Sequence, residues 1–270
     1  MKHRILSTLV IWLMVIVLPG VLPYHIGEFL IIAVFGMGTL VELIDLTRRA
    51  GRPVNQPIAM VGFAVLLLGV MVFKPVTLPP FSILTICFAG IIIACLLLSP
   101  IGSFSDIAPP TLATALIVGI PMATAVLLIQ EHSLALCVWV VAVAKFGDVG
   151  ALLFGMSFGK HHMAPALSPK KTWEGLAGGV LTSVAVSVAY AWFFRDYLPE
   201  GLTLLHAGWM ALPIVICGVL ADLAESAYKR EAKVKDSGNS IPGIGGFLDL
   251  TDSFLLAIPV GYFLIWVFVY

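Results

Sequence analysis

Residues 221–252 read ADLAESAYKREAKVKDSGNSIPGIGGFLDLTD. Ten charged side chains of both signs fall in this stretch: Asp222, Glu225, Lys229, Arg230, Glu231, Lys233, Lys235, Asp236, Asp249 and Asp252. The chain around it is 60% hydrophobic and only 11% charged. Apolar segments border it on both sides, Trp209 to Leu223 before and Phe254 to Tyr270 after. The stretch therefore lies where the chain leaves and re-enters an apolar layer. Charge is costly there and calls for a functional reason.

The 270 residues have a mean hydropathy of +1.06, which places the chain among polytopic membrane proteins. A soluble protein needs more polar surface than 15 basic and 15 acidic residues supply. The net charge of zero says nothing about partners, and no nucleic-acid partner is expected. Cys87, Cys95, Cys137 and Cys217 all lie in apolar segments without a CxxC pair, so they read as small buried hydrophobes. His161-His162 is the only histidine pair and reads as a wet interfacial loop. Met1-Lys2-His3-Arg4 and the apolar run after it resemble a signal peptide. No small-x-small cleavage site follows, so the run reads as a first membrane helix.

With about 20 apolar residues per span, an all-α bundle of about nine transmembrane helices is expected. They cover Ile5–Val21, Gly27–Ile44, Ile58–Phe73, Phe81–Leu98, Thr111–Ile129, Leu134–Phe158, Trp173–Phe194, Ala207–Tyr228 and Phe247–Val269. Pro57, Pro75, Pro79-Pro80, Pro100 and Pro109-Pro110 mark expected ends. With the N-terminus in the cytoplasm, twelve basic residues fall inside (Lys2, Arg4, Arg48, Arg49, Arg52, Lys160, Lys170, Lys171, Lys229, Arg230, Lys233 and Lys235). Only Lys74 and Arg195 fall outside, and Lys145 sits within a helix. This bias predicts a cytoplasmic N-terminus and the C-terminus opposite; the expected location is the cell (inner) membrane. Residues 1–130 are expected as N-terminal helices and residues 131–270 as the catalytic region.

Asp222, Ser226, Lys229 and Lys233 are spaced to share one helix face that continues past Tyr228, with Glu225 and Arg230 at its border. Asp249 and Asp252 are one turn apart near the start of the last helix. Pro242-Gly243-Ile244-Gly245-Gly246 ahead of them has little bulk, and its free backbone N–H groups suit a close phosphate approach. Lys145 and Asp148, three apart, can pair. Ser168, Lys170, Lys171 and Thr172 precede a helix N-terminus, a natural anion site. They also read as ordinary positive-inside anchoring with Thr172 as a helix cap.

Each buried carboxylate near a helix end costs up to about 3 kcal/mol, and the five (Asp148, Glu225, Asp222, Asp249, Asp252) repel one another. Bound cations resolve that repulsion; magnesium uses carboxylates together with substrate phosphates. There is no Walker A loop, since Gly155-Met156-Ser157-Phe158-Gly159-Lys160 is one spacer short and lacks the following Ser or Thr. Acidic groups for metal and basic groups for phosphate at one membrane face suit phosphoryl or nucleotidyl transfer, which needs positioning and charge neutralisation more than a protein nucleophile. An ion-coupled transporter remains an alternative, although charge at one face rather than the midplane speaks against it.

Ser226-Ala-Tyr-Lys229-Arg230, then Lys235-Asp236-Ser-Gly238, then Ile241-Pro242-Gly-Ile-Gly245-Gly246-Phe-Leu-Asp249-Leu-Thr-Asp252 resembles the signature of the phosphatidate cytidylyltransferase (CDP-diacylglycerol synthase) family. Asp148-Val-Gly-Ala, Phe158-Gly159-Lys160, Ser168-Pro169-Lys170-Lys171-Thr172-Trp-Glu174-Gly175 and Ala221-Asp222-Leu are also similar to it. The match covers roughly the C-terminal half. Ile244, Leu250, Leu152 and Met156 depart from the family's usual residues; those at Ile244, Leu250 and Met156 are the ones expected to alter rate or head-group contact.

The resemblance implies that CTP and phosphatidate give CDP-diacylglycerol and pyrophosphate in phospholipid biosynthesis at a cytoplasmic active site. It implies Mg2+ as the main ion with K+ as companion, held by Asp148, Asp222, Asp249 and Asp252. It assigns Lys229, Arg230 and Lys235 to the phosphates, Ser226 to orienting them, and Asp236 to Lys235 or the metal. Ser168, Lys170, Lys171 and Thr172 would cover the nucleotide, with Gly245 and Gly246 as close-approach positions. A CTP-using lipid kinase is a related alternative that releases CDP. Gly175 and Gly179 form a GxxxG motif suited to packing within the chain or in a homodimer.

Overall fold

A computed structural model describes residues 17, 20–22, 25–73, 80–243 and 245–270. The helix expected over residues 5–21 lies largely outside them, as do Lys2, Arg4, Lys74 and Ile244. The helices are α1 (Ile26–Arg49), α2 (Gln56–Val72), α3 (Pro80–Leu98), α4 (Phe104–Glu131), α5 (Leu134–Phe158), α6 (Trp173–Phe193), α7 (Leu204–Glu231), α8 (Phe247–Thr251) and α9 (Phe254–Phe268). A hairpin of β1 (His162–Ala164) and β2 (Ser168–Thr172) interrupts them. The protein is an all-α integral membrane protein. Among the described residues, six segments are long and apolar enough to cross a membrane: α1, α4, α5, α6, α7 and Phe247–Phe268. Two shorter apolar helices, Gln56–Val72 and Ser82–Leu98, accompany them. Large apolar side chains such as Leu96, Leu152, Leu181, Leu205 and Phe263 point outward, as a lipid environment requires.

Four sequence expectations are corrected. The fifth predicted helix begins at Phe104, so Pro109 and Pro110 lie inside α4 rather than before it. The Thr111 and Thr114 hydroxyls bond the carbonyls of Ile107 and Pro110 one turn back, which satisfies them inside the helix. The last helix is broken at Asp252-Ser253, where the Ser253 N–H turns to the Asp252 carboxylate at 2.6 Å. The loop after α5 folds into the hairpin. Finally, α7 ends at Glu231, and Lys233 has left the helix with a left-handed φ of 57°.

The chain forms two compact units, Met1–Leu127 with Tyr228–Thr251 and Leu128–Ala227 with Asp252–Tyr270. In the first, α1 packs on α2 and on α8, around Leu40, Leu43, Ile44, Phe63 and Leu67. The Asn55 side chain caps α2 by accepting from the Ile58 N–H at 3.3 Å. In the second, Trp139, Val140, Met210, Ile214 and Ile265 form the core. There Trp139 Nε1 donates to Ser187 Oγ at 3.0 Å, and Ser187 Oγ donates to the Ala207 carbonyl at 2.6 Å. The GxxxG motif is used inside this unit: a Cβ on Gly179 would lie 2.7 Å from the Gly147 carbonyl oxygen, and one on Gly175 2.8 Å from that of Ala151. These glycines let α5 and α6 approach backbone to backbone. All four cysteines are free.

Candidate active site

In the second unit, α7 presents Asp222 and Glu225 one turn apart, and the break before α9 presents Asp252. One carboxylate oxygen from each lies within 4.8 Å of the others. Such an all-oxygen donor set suits a hard divalent cation. Glu225 is 4% exposed, and the side chains of Asp252 and Asp222 are 13% and 28% exposed, so the cluster runs from interior to rim.

Two lysines flank it. Lys171 Nζ is 2.7 Å from Asp222 Oδ2 and donates to the Val219 carbonyl at 3.3 Å. Lys145 Nζ is 3.3 Å from Asp252 Oδ1 and 3.6 Å from Asp148 Oδ2, and it lies over the Phe254 ring. The expected Lys145–Asp148 pair is thus present, with Asp252 as a second partner.

Lys171 reaches the acidic cluster because the β1–β2 hairpin is tied down. Thr172, buried, accepts the Gly175 N–H at 3.1 Å and caps α6 as its sequence context predicted. Glu174 accepts the N–H groups of Lys160 and His161, and its Oε1 lies 2.5 Å from His161 Nδ1. Ser168 is half-buried and Lys170 exposed on the hairpin.

The first unit holds the rest of the signature. Asp249 Oδ1 accepts Lys229 Nζ at 3.0 Å, and Oδ2 accepts the Gly246 N–H at 2.8 Å. The Ser237 N–H points at both oxygens, at 3.4 and 3.3 Å. The Gly245 N–H bonds the Ile241 carbonyl at 3.1 Å. The expectation of free N–H groups on these two glycines is therefore corrected: the loop uses both to close on itself, one on the Ile241 carbonyl and one on Asp249. Lys235, Asp236 and Arg230 are exposed, and Ser226 of the second unit is half-buried on α7.

Two residues gain weight that sequence reasoning did not give them. Glu225 is a costly carboxylate that the family resemblance does not place among the cation ligands; its position three residues after Asp222 is the available signal. Glu42 of α1 was not singled out. It is 6% exposed, and it accepts from Ser237 Oγ, Ser240 Oγ and the Leu248 N–H at 3.1, 2.7 and 2.9 Å. An acidic residue in the largely apolar α1, which also carries Glu28 and Asp45, is the signal for it.

The family model for the cytidylyltransferase family matches residues 2–268. Phosphatidate cytidylyltransferase of Haemophilus influenzae is 38% identical over 128 residues, 47% of this chain and 44% of that protein. Its namesake in Bacillus subtilis is 38% identical over 140 residues, 52% of this chain and 51% of that protein. Its namesake in Staphylococcus aureus is 43% identical over 113 residues, 42% of each. The chain spans about half the length of these curated relatives.

Proposed function

Because the chain belongs to the cytidylyltransferase family, we propose that it transfers a cytidylyl group from CTP to phosphatidate, forming CDP-diacylglycerol and pyrophosphate. The observation that carries this reading is the cluster of Asp222, Glu225 and Asp252 within 4.8 Å, with Lys171 bound to its rim at 2.7 Å. A lipid phosphate oxygen attacks the α-phosphorus of CTP. The new P–O bond forms as the bond to the β-phosphate bridge breaks, and the electron pair leaves with pyrophosphate. Magnesium, when bound, supplies charge neutralisation for the triphosphate.

Asp222, Glu225 and Asp252 hold that cation. Asp148 and Asp249 complete the acidic set, and K+ is the companion ion. With a cation held at Asp222, Lys171 would be available to a nucleotide phosphate in place of its 2.7 Å partner. Lys229, Arg230 and Lys235 meet the triphosphate and the lipid phosphate, Ser226 orients them, and Asp236 steadies Lys235. Ser168 and Lys170 cover the nucleotide on the hairpin that Thr172 anchors. Gly245 and Gly246, whose missing side chains would meet Asp249 and Glu42, bring the loop backbone close to the substrate phosphates. The catalytic region is residues 131–270. The protein sits in the inner membrane as a bundle of nine spans, N-terminus and active site cytoplasmic.

The test is purified protein in detergent with CTP, phosphatidate and Mg2+, measuring pyrophosphate and identifying the lipid product by mass. Lipid-dependent pyrophosphate with CDP-diacylglycerol is expected. CDP with a phosphorylated lipid would replace the reading with a kinase, and no turnover by folded protein would remove it. Asp249→Asn is expected to abolish turnover while insertion into the membrane is unchanged; full activity in that variant would remove Asp249 from the site.

A further inference from the structure

We propose that Glu42, in the N-terminal half of the chain, is a positioning residue for the transfer reaction: it holds the 237–249 loop so that Asp249 and Lys229 present their charged groups in one geometry. The proposal rests on the function proposed above. Burying a carboxylate in an apolar helix costs several kcal/mol before its partners are counted, and a leucine at this place would pack at no such cost. The partners give the reason. Both Glu42 oxygens accept hydrogen bonds, and all three donors belong to one segment: Ser237 and Ser240 through their hydroxyls, Leu248 through its N–H.

The bond directions are determined. Ser237 Oγ accepts the Asp249 N–H at 3.3 Å, so its single proton is available to Glu42 Oε2. From Ser237 the chain of bonds continues to Asp249 through the Ser237 N–H, and Asp249 in turn accepts Lys229 Nζ at 3.0 Å. An acceptor-only group suits this place, because the loop offers it donors.

The glycines of the signature fit the same account. A Cβ on Gly238 would lie 2.5 Å from Glu42 Oε1, and one on Gly246 would collide with Glu42 Oε2. Both positions are bare because the Glu42 carboxylate occupies the space. The face of α1 that carries Glu42 is fitted to α8 along its length. Phe35 meets Phe247 edge-on at 5.5 Å, and Thr39 Oγ1 lies 2.8 Å from Thr251 Oγ1. Glu42 is thus the polar end of an α1 face built against this segment.

The test compares wild type with Glu42→Gln, Glu42→Leu, Ser237→Ala and the Glu42→Gln/Ser237→Ala double variant, all as full-length protein. Hydrogen exchange needs no turnover. Residues 237–249 are expected to exchange about tenfold faster in Glu42→Leu, with α6 unchanged. In the transfer assay kcat falls about 100-fold in Glu42→Leu while the KM for phosphatidate stays within about twofold. Glu42→Gln is milder, since its amide keeps an oxygen for Ser237 and Leu248 and offers Ser240 a donor. The double variant is no slower than the slower single variant, as two members of one chain of bonds require.

Wild-type exchange in Glu42→Leu, or losses that multiply in the double variant, would overturn the proposal. If the wild-type protein makes no CDP-diacylglycerol, the transfer reading fails by itself, and the exchange comparison still decides whether Glu42 holds the loop.

Discussion

At the residue scale, the cation cluster is where chemistry and geometry meet most directly. Asp222 and Asp252 are 30 positions apart in sequence, and Glu225 joins them because one helical turn separates it from Asp222. A ligand that binds the folded state at 100 times its Kd stabilises by about 2.7 kcal/mol. Mg2+ is therefore expected to raise the melting temperature of the detergent-solubilised protein by several degrees. Asp222→Asn and Glu225→Gln are each expected to lose most of that rise, read by thermal denaturation with and without Mg2+. A full rise in Glu225→Gln would take Glu225 out of the ligand set. Asp222 was legible because Ala221-Asp222-Leu223 lies just ahead of the stretch that starts at Ser226. The partners of Glu42 were not: Ser237 lies 195 residues away and Leu248 206, so no local pattern joins them.

At the element scale, α7 has 28 residues, about 42 Å of helix, against a hydrocarbon layer of about 30 Å. The surplus lets its last turn, with Lys229 and Arg230, extend beyond the apolar layer. The α5–α6 pair depends on small residues. A leucine at Gly179 would be forced against the Gly147 carbonyl oxygen, 2.7 Å from an added Cβ, and the Ala151 Cβ, 3.1 Å away. Gly179→Leu is expected to cost about 1–3 kcal/mol. A lowered melting temperature and poorer recovery of folded protein would register it; an unchanged melting temperature would show that the helices can separate freely. Helix existence was legible from apolar runs, and the Thr172 cap from its place before Trp173. The start of α4 was not legible, because prolines read as an end turned out to lie inside the helix, among hydroxyls that bond nearby carbonyls.

At the scale of the whole molecule, the proposed orientation follows from the distribution of lysine and arginine. With the native cysteines replaced, Lys170→Cys is expected to react with a membrane-impermeant maleimide only after cells are permeabilised. Tyr197→Cys, in the connection between α6 and α7, is expected to react in intact cells. The reverse pattern would turn the protein over and put the proposed site on the wrong face for cytosolic CTP. Hydropathy along the chain was enough for the membrane class and for the apolar helices among the described residues, because it is a local property that needs no knowledge of the fold. It took the fold to bring Glu225 together with Asp222 and Asp252, to pack α5 on α6 through GxxxG, and to set Glu42 in hydrogen bonds with the loop beside Asp249. The reason is physical: a buried charge is stable only with partners, and its partners are chosen by the fold.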